Sequence, residues 1–377
     1  MNAFNHDIFT EKMMPVVSRE IESLGSVDFS QTAKLKVDKD LYLEAQKLGL
    51  TLTDLLELPE YDPSPAGAPL DAFERQLAFH GLRTGGGSPV TVEMFYRTAA
   101  ALMPEFMMRE IRRGQNMRPE LNRLIASSSG VNTSRYTPFH IDTSATDTDL
   151  SLRPISEAAE VPSILVTDQA NTVLIPDYGL TLKVTYKALR HRTMAQFKVL
   201  LWYIGYRLAS DRVALAVNTI INGDGNSNPA DVLETDVSGT VDYEDMIKFF
   251  NEFFPYQPRV MACHKEVIQD ILTISEFKDP MIGFKFQSSG EITSPLGATL
   301  VRSDEVPNDY IVGIDNRFAL EKVFSQPLTV EYDKVIEQRL EEAVISESVA
   351  YAKIIKDAAK VLDIVHSQTE RIIGGGV

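Results

Sequence analysis

Histidine and cysteine, two residue types that often carry catalysis, are few in this sequence, and they form no recognisable motif. Its six histidines match no metal-binding spacing such as HExxH, which would place two imidazoles on one face of a helix. The single cysteine, Cys263, precedes His264, but adjacent residues on a strand point to opposite faces of the sheet. We therefore predict that Cys263 is a small buried hydrophobic residue. No catalytic, cofactor-binding or metal-ligating residue is assigned, and no cofactor is expected.

The sequence NGDG at 222–225 resembles the start of a calcium-binding loop. An EF-hand loop also needs a bidentate glutamate at its twelfth position, and counting from either Asn222 or Asp224 places no glutamate there. We interpret the four residues as a helix C-cap followed by a turn. In this interpretation Gly223 and Gly225 adopt positive φ, and Asn222 and Asp224 hydrogen-bond their own backbone.

One stretch of the chain is locally basic. Its members are Arg109, Arg112, Arg113, Arg118 and Arg123. They could contact DNA, or they could pair with acidic groups of a neighbouring subunit. The chain as a whole carries a formal net charge of −16, and a general nucleic-acid binder needs a basic surface to displace counterions from phosphates. We therefore favour pairing with a neighbouring subunit.

The length and composition are those of a folded protein. The 377 residues are enough for two or three compact units, and 44% of them are apolar. The first residues lack the basic segment and apolar segment of a secretory signal. No window of about 18 apolar residues is present, so no association with a membrane is expected.

A long helix is the most prominent predicted element. Apolar periodicity predicts it over 193–221, about 28 residues or roughly 40 Å at 1.5 Å per residue. It ends at the NGDG sequence, and its length is typical of a spine that joins parts of a protein. An earlier helical stretch, 91–114, contains Pro104, which should kink it or divide it in two.

The regions on either side of these helices differ in character. Within 1–92, three short amphipathic helices are predicted at 41–48, 52–58 and 70–80; each must bury its apolar stripe elsewhere in this subunit or on the next. The polar stretch 142–172 is typical of an extended, two-stranded excursion. Alternating helix and strand patterns predict a compact α/β unit near 240–325.

The order of several segments between 145 and 350 carries a family resemblance. EAAEVPS at 157–163 precedes a return strand at 173–190, and the long helix ends in INGDGNSNP. A strand and helix, PRVMACHKEVIQDIL, follow at 258–272. This order resembles the major capsid proteins of tailed phages, whose fold is named after phage Hong Kong 97.

The resemblance implies an α+β Hong Kong 97-type capsid fold with a spine helix, a peripheral domain, an axial domain, an extended E-loop and a long N-terminal arm. The implied boundaries are 1–92 for the arm, 93–144, 181–234 and 326–365 for the peripheral domain with its spine helix at 193–221, 145–180 for the E-loop, 235–325 for the axial domain, and 366–377 for a C-terminal tail.

The same resemblance implies a structural protein rather than an enzyme. Copies would assemble as pentamers and hexamers into an icosahedral shell around the double-stranded DNA of a tailed phage. The implied partners are other copies of the chain, a scaffolding protein, a portal, a cement or decoration protein, and packaged DNA held without sequence specificity. The protein would assemble in the cytoplasm of a host bacterium and reside in the virion.

Two departures from the family pattern lead to further expectations. Some family members join subunits through an isopeptide bond from an E-loop lysine to an asparagine. Here 145–182 contains no lysine and the first is Lys183, so we predict a shell without this cross-link. Family members often lose an N-terminal scaffolding segment, whereas this chain keeps its start, so we expect an uncleaved arm that wraps neighbouring subunits.

Two alternatives remain open. An encapsulin-type bacterial nanocompartment shell shares the fold, but those chains are typically shorter at the N-terminus, so residues 1–90 count against it. A soluble oligomeric enzyme would require convergent polar groups, which the sequence does not display.

Overall fold

The computed structural model describes residues 39–48, 50–58, 61, 70–85, 89–141, 157, 166–278, 295–335 and 340–364. Several predicted parts therefore lie outside the described residues. They are 1–38 of the arm, most of the E-loop, 279–294 of the axial domain and the tail at 366–377.

The chain divides into two compact units, and the domain boundaries implied by the resemblance stay a prediction. The first unit comprises Met1–Gly114, Leu180–Gly205 and Val330–Ile345. The second comprises Gln115–Gly179, Tyr206–Thr329 and Ser346–Val377.

Short helices build the beginning of the first unit. They are α1 (Lys39–Leu48), α2 (Leu52–Leu56) and α3 (Ala72–Phe79). Thr51 and Asp71 each begin a helix with a capping box, in which the cap side chain and the third helical residue satisfy each other's backbone N–H groups. Their apolar residues, such as Leu55 and Phe73, are buried within the chain. Of the two alternatives for these stripes, burial in the same subunit applies to α2 and α3, whereas Leu43 and Leu48 of α1 are exposed.

The helical stretch that contains Pro104 is divided, as predicted. Helix α4 (Val92–Ala99) is followed by a 3₁₀ turn at Ala100–Leu102, and α5 (Met103–Asn116) begins directly after it. Pro104 therefore lies in the first turn of α5, where its missing N–H leaves no intrahelical hydrogen bond unmade.

The predicted long helix is confirmed. A short helix, α7 (Tyr186–His191), leads into α8 (Met194–Asn222), which has 29 residues. Thr193 and Gln196 form a capping box at the start of α8. Most neighbouring buried apolar positions along it are three to five residues apart, which is close to the spacing of one helix face: Met194, Phe197, Leu201, Ile204, Ala209, Val213, Ala216, Val217 and Ile220.

A five-stranded sheet organises the second unit, in the order β7-β13-β10-β8-β9. Its strands are β7 (Asp231–Glu234), β8 (Val260–Cys263), β9 (Thr299–Arg302), β10 (Tyr310–Ile314) and β13 (Ala359–Asp363).

Three helices accompany this sheet in the second unit: α6 (Glu120–Leu124), α9 (Tyr243–Asn251) and α10 (Lys265–Thr273). Strand β8, α9 and α10 confirm the predicted helix–strand–helix order, with Asp242 as the N-cap of α9. One apolar core includes Phe249 and Phe253, and a second packs Val213 and Val217 of α8 onto the sheets.

A second sheet has the order β1-β11-β12-β6. Its strands are β1 (Ser127–Gly130), β6 (Asp177–Thr185), β11 (Leu320–Val335) and β12 (Leu340–Lys353). The residues LEEA at 340–343 favour a helix by local propensity, but the structure makes 340–353 a strand. Strand β1 runs parallel to β11, with Ser127 opposite Glu321.

Two short antiparallel pairs complete the described strands. Strand β2 (Arg135–Tyr136) pairs with β5 (Val173–Leu174), and β3 (Phe139–Ile141) pairs with β4 (Val166–Asp168). The second pair flanks residues 142–165 in the sequence. The predicted two-stranded excursion thus begins and ends at paired strands, and its remainder lies outside the described residues.

Candidate functional site

The turn that ends α8 is built from glycines and short polar side chains. Gly223 has φ 85° and donates its N–H to Thr219 O at 2.9 Å, and Gly225 has φ 96°. Asp224 Oδ1 accepts the N–H of Asn226 at 3.2 Å, which is the local Asx turn that the sequence predicts. The prediction for Asn222 was wrong. Its side-chain amide donates to Asn218 Oδ1 at 2.7 Å, because residues four apart face each other on a helix.

The same turn connects three parts of the second unit. Asp224 Oδ2 accepts the N–H of Lys353 at the end of β12, at 2.9 Å. Asn171, just before β5, donates its N–H to Asn226 Oδ1 at 2.9 Å and its side-chain amide to Gly225 O at 3.1 Å. The turn is therefore a structural junction between the helix end, a sheet strand and the segment that returns from the excursion.

A buried lysine lies beneath this junction. Lys353 is 1% exposed, and its Nζ donates to Ile220 O in the last turn of α8 at 3.3 Å. A cation near helix C-terminal carbonyls is electrostatically favourable. Burial nevertheless lowers the pKa of Lys353 to about 8, although the nearby Asp224 carboxylate acts in the opposite direction.

Three of the predicted arginines belong to the first unit. Arg109 Nη1 donates to Asp71 Oδ2 at 2.7 Å, and its guanidinium lies 4.3 Å from the centre of the Phe73 ring. Burial disfavours the charged form of Arg109 and by itself would lower its pKa. The neighbouring Asp71 and Glu105 carboxylates have the larger combined effect, so the pKa of Arg109 is raised.

The other two arginines of this group differ from Arg109. Arg113 Nη1 donates to both carboxylate oxygens of Glu110 at 3.1 Å. Arg112 is half-buried, and burial and the neighbouring Arg109 lower its pKa despite the opposing effect of Glu105.

The remaining two arginines belong to the second unit. Arg118 is buried and donates from Nη1 and Nη2 to the two carboxylate oxygens of Glu305, at 3.0 and 2.9 Å. It also donates to Ser210 and lies over the Tyr206 ring. Arg123 is exposed, and no hydrogen bond or ion pair joins it to another residue that the structure describes. Contact of this group with a neighbouring subunit or with DNA stays a prediction, and Arg123 has the most accessible charge.

Exposed apolar side chains follow one side of α8 in the first unit, and the sequence reasoning missed them. Val199, Leu200 and Tyr203 are 59%, 39% and 63% exposed. Their spacing of one and four residues places them together on the helix. The signal was present in the sequence, because a helix that is apolar on more than one side must cover its second side with something. Large exposed apolar groups commonly mark protein contacts.

Strand β6 alternates between two environments. Leu182 and Val184 contact a small apolar cavity lined also by Met107 and Phe197. Lys183 points the other way, and its Nζ lies 3.5 Å from Glu342 Oε1. The first lysine after the predicted E-loop is therefore in an ion pair within its own chain.

The described residues offer no obvious metal centre. Within those ranges, no three His, Cys, Asp or Glu residues come together in a way that could hold a metal ion. Cys263 is buried, as predicted, and burial raises the pKa of its thiol. Among the described helices, none combines the length and apolar character that a bilayer span requires.

No protein-family model matches the sequence, and no curated protein matches it either. Solved structures do match the fold. The capsid of a native GTA particle aligns with a TM-score of 0.50 at 14% identity, covering 64% of this chain and 89% of that chain.

Two further structures match at TM-scores just below this. A virus-like particle from Pyrococcus furiosus aligns with a TM-score of 0.49 at 14% identity, covering 69% of this chain and 99% of the other. An encapsulin from Synechococcus elongatus aligns with a TM-score of 0.46 at 14% identity, covering 66% of this chain and 88% of the other.

The GTA capsid alignment extends over most of that protein. The return strand, the long helix with the turn at its end, and the strand and helix within 258–272 occur here in the order on which the sequence resemblance rests. The chain therefore has the Hong Kong 97-type capsid fold.

Proposed function

We propose that this chain is a structural shell protein that self-assembles as pentamers and hexamers into an icosahedral shell. The fold carries this proposal, because the aligned GTA chain is itself a capsid protein. A fold by itself permits several functions, so the surface must also suit assembly.

The surface of the first unit supports self-association. Val199, Leu200 and Tyr203 expose apolar area on a rigid helix, and rigid aromatic anchors dominate the energy of many protein interfaces. In the second unit, Phe254 is 88% exposed beside the buried Phe253. Subunits of a permanent shell are expected to bury about 2,000–5,000 Å² at each interface. Rings require head-to-tail contacts, and joining the rings requires self-complementary ones.

We further propose that the shell encloses the double-stranded DNA of a tailed phage. This rests on the resemblance and on the long segment 1–92. The net charge of −16 suits an inner wall that must not retain DNA. A scaffolding protein, a portal and a cement protein would then be its partners, assembly would take place in the bacterial cytoplasm, and the virion would be its final location. The encapsulin-type compartment remains the second candidate, because an encapsulin shares the fold.

We also propose that the shell lacks an E-loop cross-link. The segment 145–182 offers no lysine, and Lys183 is in an ion pair with Glu342.

Size-exclusion chromatography with light scattering, followed by nucleic-acid analysis of the particles, tests the proposal. We expect particles of megadalton mass. A stable species of fewer than about ten subunits would contradict a shell and favour a soluble enzyme. Particles from the native source that contain DNA would support the phage assignment, whereas particles filled with protein cargo would support the encapsulin.

A further inference from the structure

A buried ion pair joins α8 to the second sheet within the second unit. Arg212 on α8 donates from Nε to Glu347 Oε1 on β12 at 2.7 Å, and its Nη2 contacts the other carboxylate oxygen. Both side chains are largely buried, with 12% and 8% of their area exposed. This pair by itself is electrically neutral.

A second cation lies beside this pair without a carboxylate of its own. Lys322 is on β11, and its Nζ lies 5.8 Å from the centre of the Phe324 ring. No carboxylate of the described residues is within ion-pairing distance of it. Burial, and then the charge of Arg212, lower the pKa of Lys322 to about 8. The half-buried Lys322 therefore lies near the charge of Arg212 and has no carboxylate partner among the described residues.

A buried hydroxyl without a partner lies in the same cluster. Tyr351 follows Glu347 by four residues on β12, so both side chains are on the same face of the sheet. Tyr351 is 3% exposed, and its Oη has no hydrogen-bond partner among the described residues. Burial raises its pKa, and Arg212 acts in the opposite direction, so the hydroxyl is near the Arg212 charge.

Unpaired buried hydroxyls are uncommon, because burying such a group without a hydrogen bond is costly. Tyr178 of β6 also interacts electrostatically with Tyr351. Since Tyr178 is 36% exposed and β6 is the last strand in the order of the sheet, the cluster lies close to the surface.

We propose that Lys322, Arg212 and Tyr351 form a binding site for one small oxygen anion, either a phosphate or a carboxylate. The anion balances the charge of Lys322, accepts a charge-assisted hydrogen bond from Lys322, and accepts a hydrogen bond from the Tyr351 hydroxyl. A free anion in solution can supply this chemistry. A carboxylate of a second copy can do so as well, since each chain carries 53 Asp and Glu residues. The site does not depend on the proposed function.

Titration of dispersed subunits with inorganic phosphate, followed by ³¹P NMR line broadening, tests the site. We expect one phosphate per chain, with acetate competing for it. Lys322→Met should weaken binding at least tenfold, and Tyr351→Phe, which removes a single oxygen, should weaken it several-fold. Lys265→Met removes the same charge from an exposed position at the start of α10 and should leave binding unchanged.

The proposal is overturned if the wild-type chain binds neither anion, or if both cluster variants bind like the wild type. Equal losses in Lys322→Met and Lys265→Met would also overturn it, because they would indicate a diffuse effect of surface charge. If Lys322→Met does not fold, the Tyr351→Phe result decides. Should phosphate bind dispersed subunits but not assembled particles, a carboxylate of a neighbouring copy is the occupant in the particle. Binding in both identifies a free anion.

Discussion

Single residues in this chain use charge mainly to connect elements that are distant in the sequence. Arg118 reaches Glu305, and Arg212 reaches Glu347. Lys353 is the most deeply buried of these cations, and it lies at the junction where α8 ends. Burial disfavours the charged form of each of these groups, so their contributions to the free energy of unfolding can depend on pH.

Replacing Lys353 by methionine should change how stability depends on pH. The pKa of Lys353 is about 8 in the folded chain, whereas the ordinary pKa of a lysine, as in the unfolded chain, is 10.5. The unfolded chain therefore binds more protons between these values, and wild-type stability gains with rising pH there. Lys353→Met should lack this gain, which is worth about 3 kcal/mol. Urea unfolding of both proteins at pH 7 and pH 11 measures it.

Lys356→Met is a matched control for this experiment, because the pKa of Lys356 is shifted in the opposite direction to that of Lys353. The hydrogen bond with Asp231 raises the pKa of Lys356, so its stabilising effect is present at neutral pH and lost as pH rises through that raised value. If the free-energy difference between wild type and Lys353→Met were the same at both pH values, the charge of Lys353 would not be buried as described.

The position of Lys183 leads to a prediction about covalent linkage. Because 145–182 contains no lysine and Lys183 pairs with Glu342, particles boiled in SDS should release a single band near 42.0 kDa. A ladder of heavier bands would contradict this. If that ladder vanished in Lys183→Arg, the donor would be Lys183 itself.

At the scale of elements, α8 and the turn after it determine how the second unit is connected. Helix α8 begins with a capping box and ends where Gly223 takes a positive φ. The turn then holds Lys353 and Asn171 through Asp224, Asn226 and the Gly225 carbonyl.

Alanine at the two glycines of this turn should have unequal effects. Both have positive φ, which costs a residue with a Cβ about 1–2 kcal/mol. At Gly223 a Cβ would also lie 2.7 Å from Asn228 Oδ1 and 3.0 Å from Pro229 N, whereas at Gly225 it would meet open space. Gly223→Ala should therefore lose about 1–2 kcal/mol more stability than Gly225→Ala. Equal midpoints in thermal unfolding would show that the turn tolerates the added methyl group.

Local signals in the sequence predicted the elements well, and long-range contacts poorly. The helix at 193–221 and the division of the stretch 91–114 near Pro104 depend on neighbours within a few residues, and both are present. The strand at 340–353 could not be predicted from local signals, because LEEA favours a helix and only pairing within a sheet decides against it.

The contacts of the arginines, and the grouping of Lys322, Arg212 and Tyr351, could not be predicted from local signals. Arg118 and Glu305 are 187 residues apart, and Lys322 meets Arg212 only after α8 packs on the sheet. No spacing rule brings such residues together, so they required the folded structure.

At the scale of the whole molecule, the exposed side of α8 in the first unit should matter for assembly rather than for folding. Tyr203→Asp should prevent particle formation while leaving the unfolding midpoint of dispersed subunits nearly unchanged, because Tyr203 is 63% exposed in the single chain. Thr98→Asp adds the same charge at an exposed position of α4 and should still assemble. Sedimentation velocity distinguishes the outcomes, and normal particles from Tyr203→Asp would exclude this surface from the contacts.

Electron cryomicroscopy of the purified protein tests the central claim most directly. The account predicts closed icosahedral particles, with density for this fold arranged in rings of five and six and with Tyr203 covered by a neighbouring subunit. A small oligomer without icosahedral symmetry, or an ordered monomer, would contradict it.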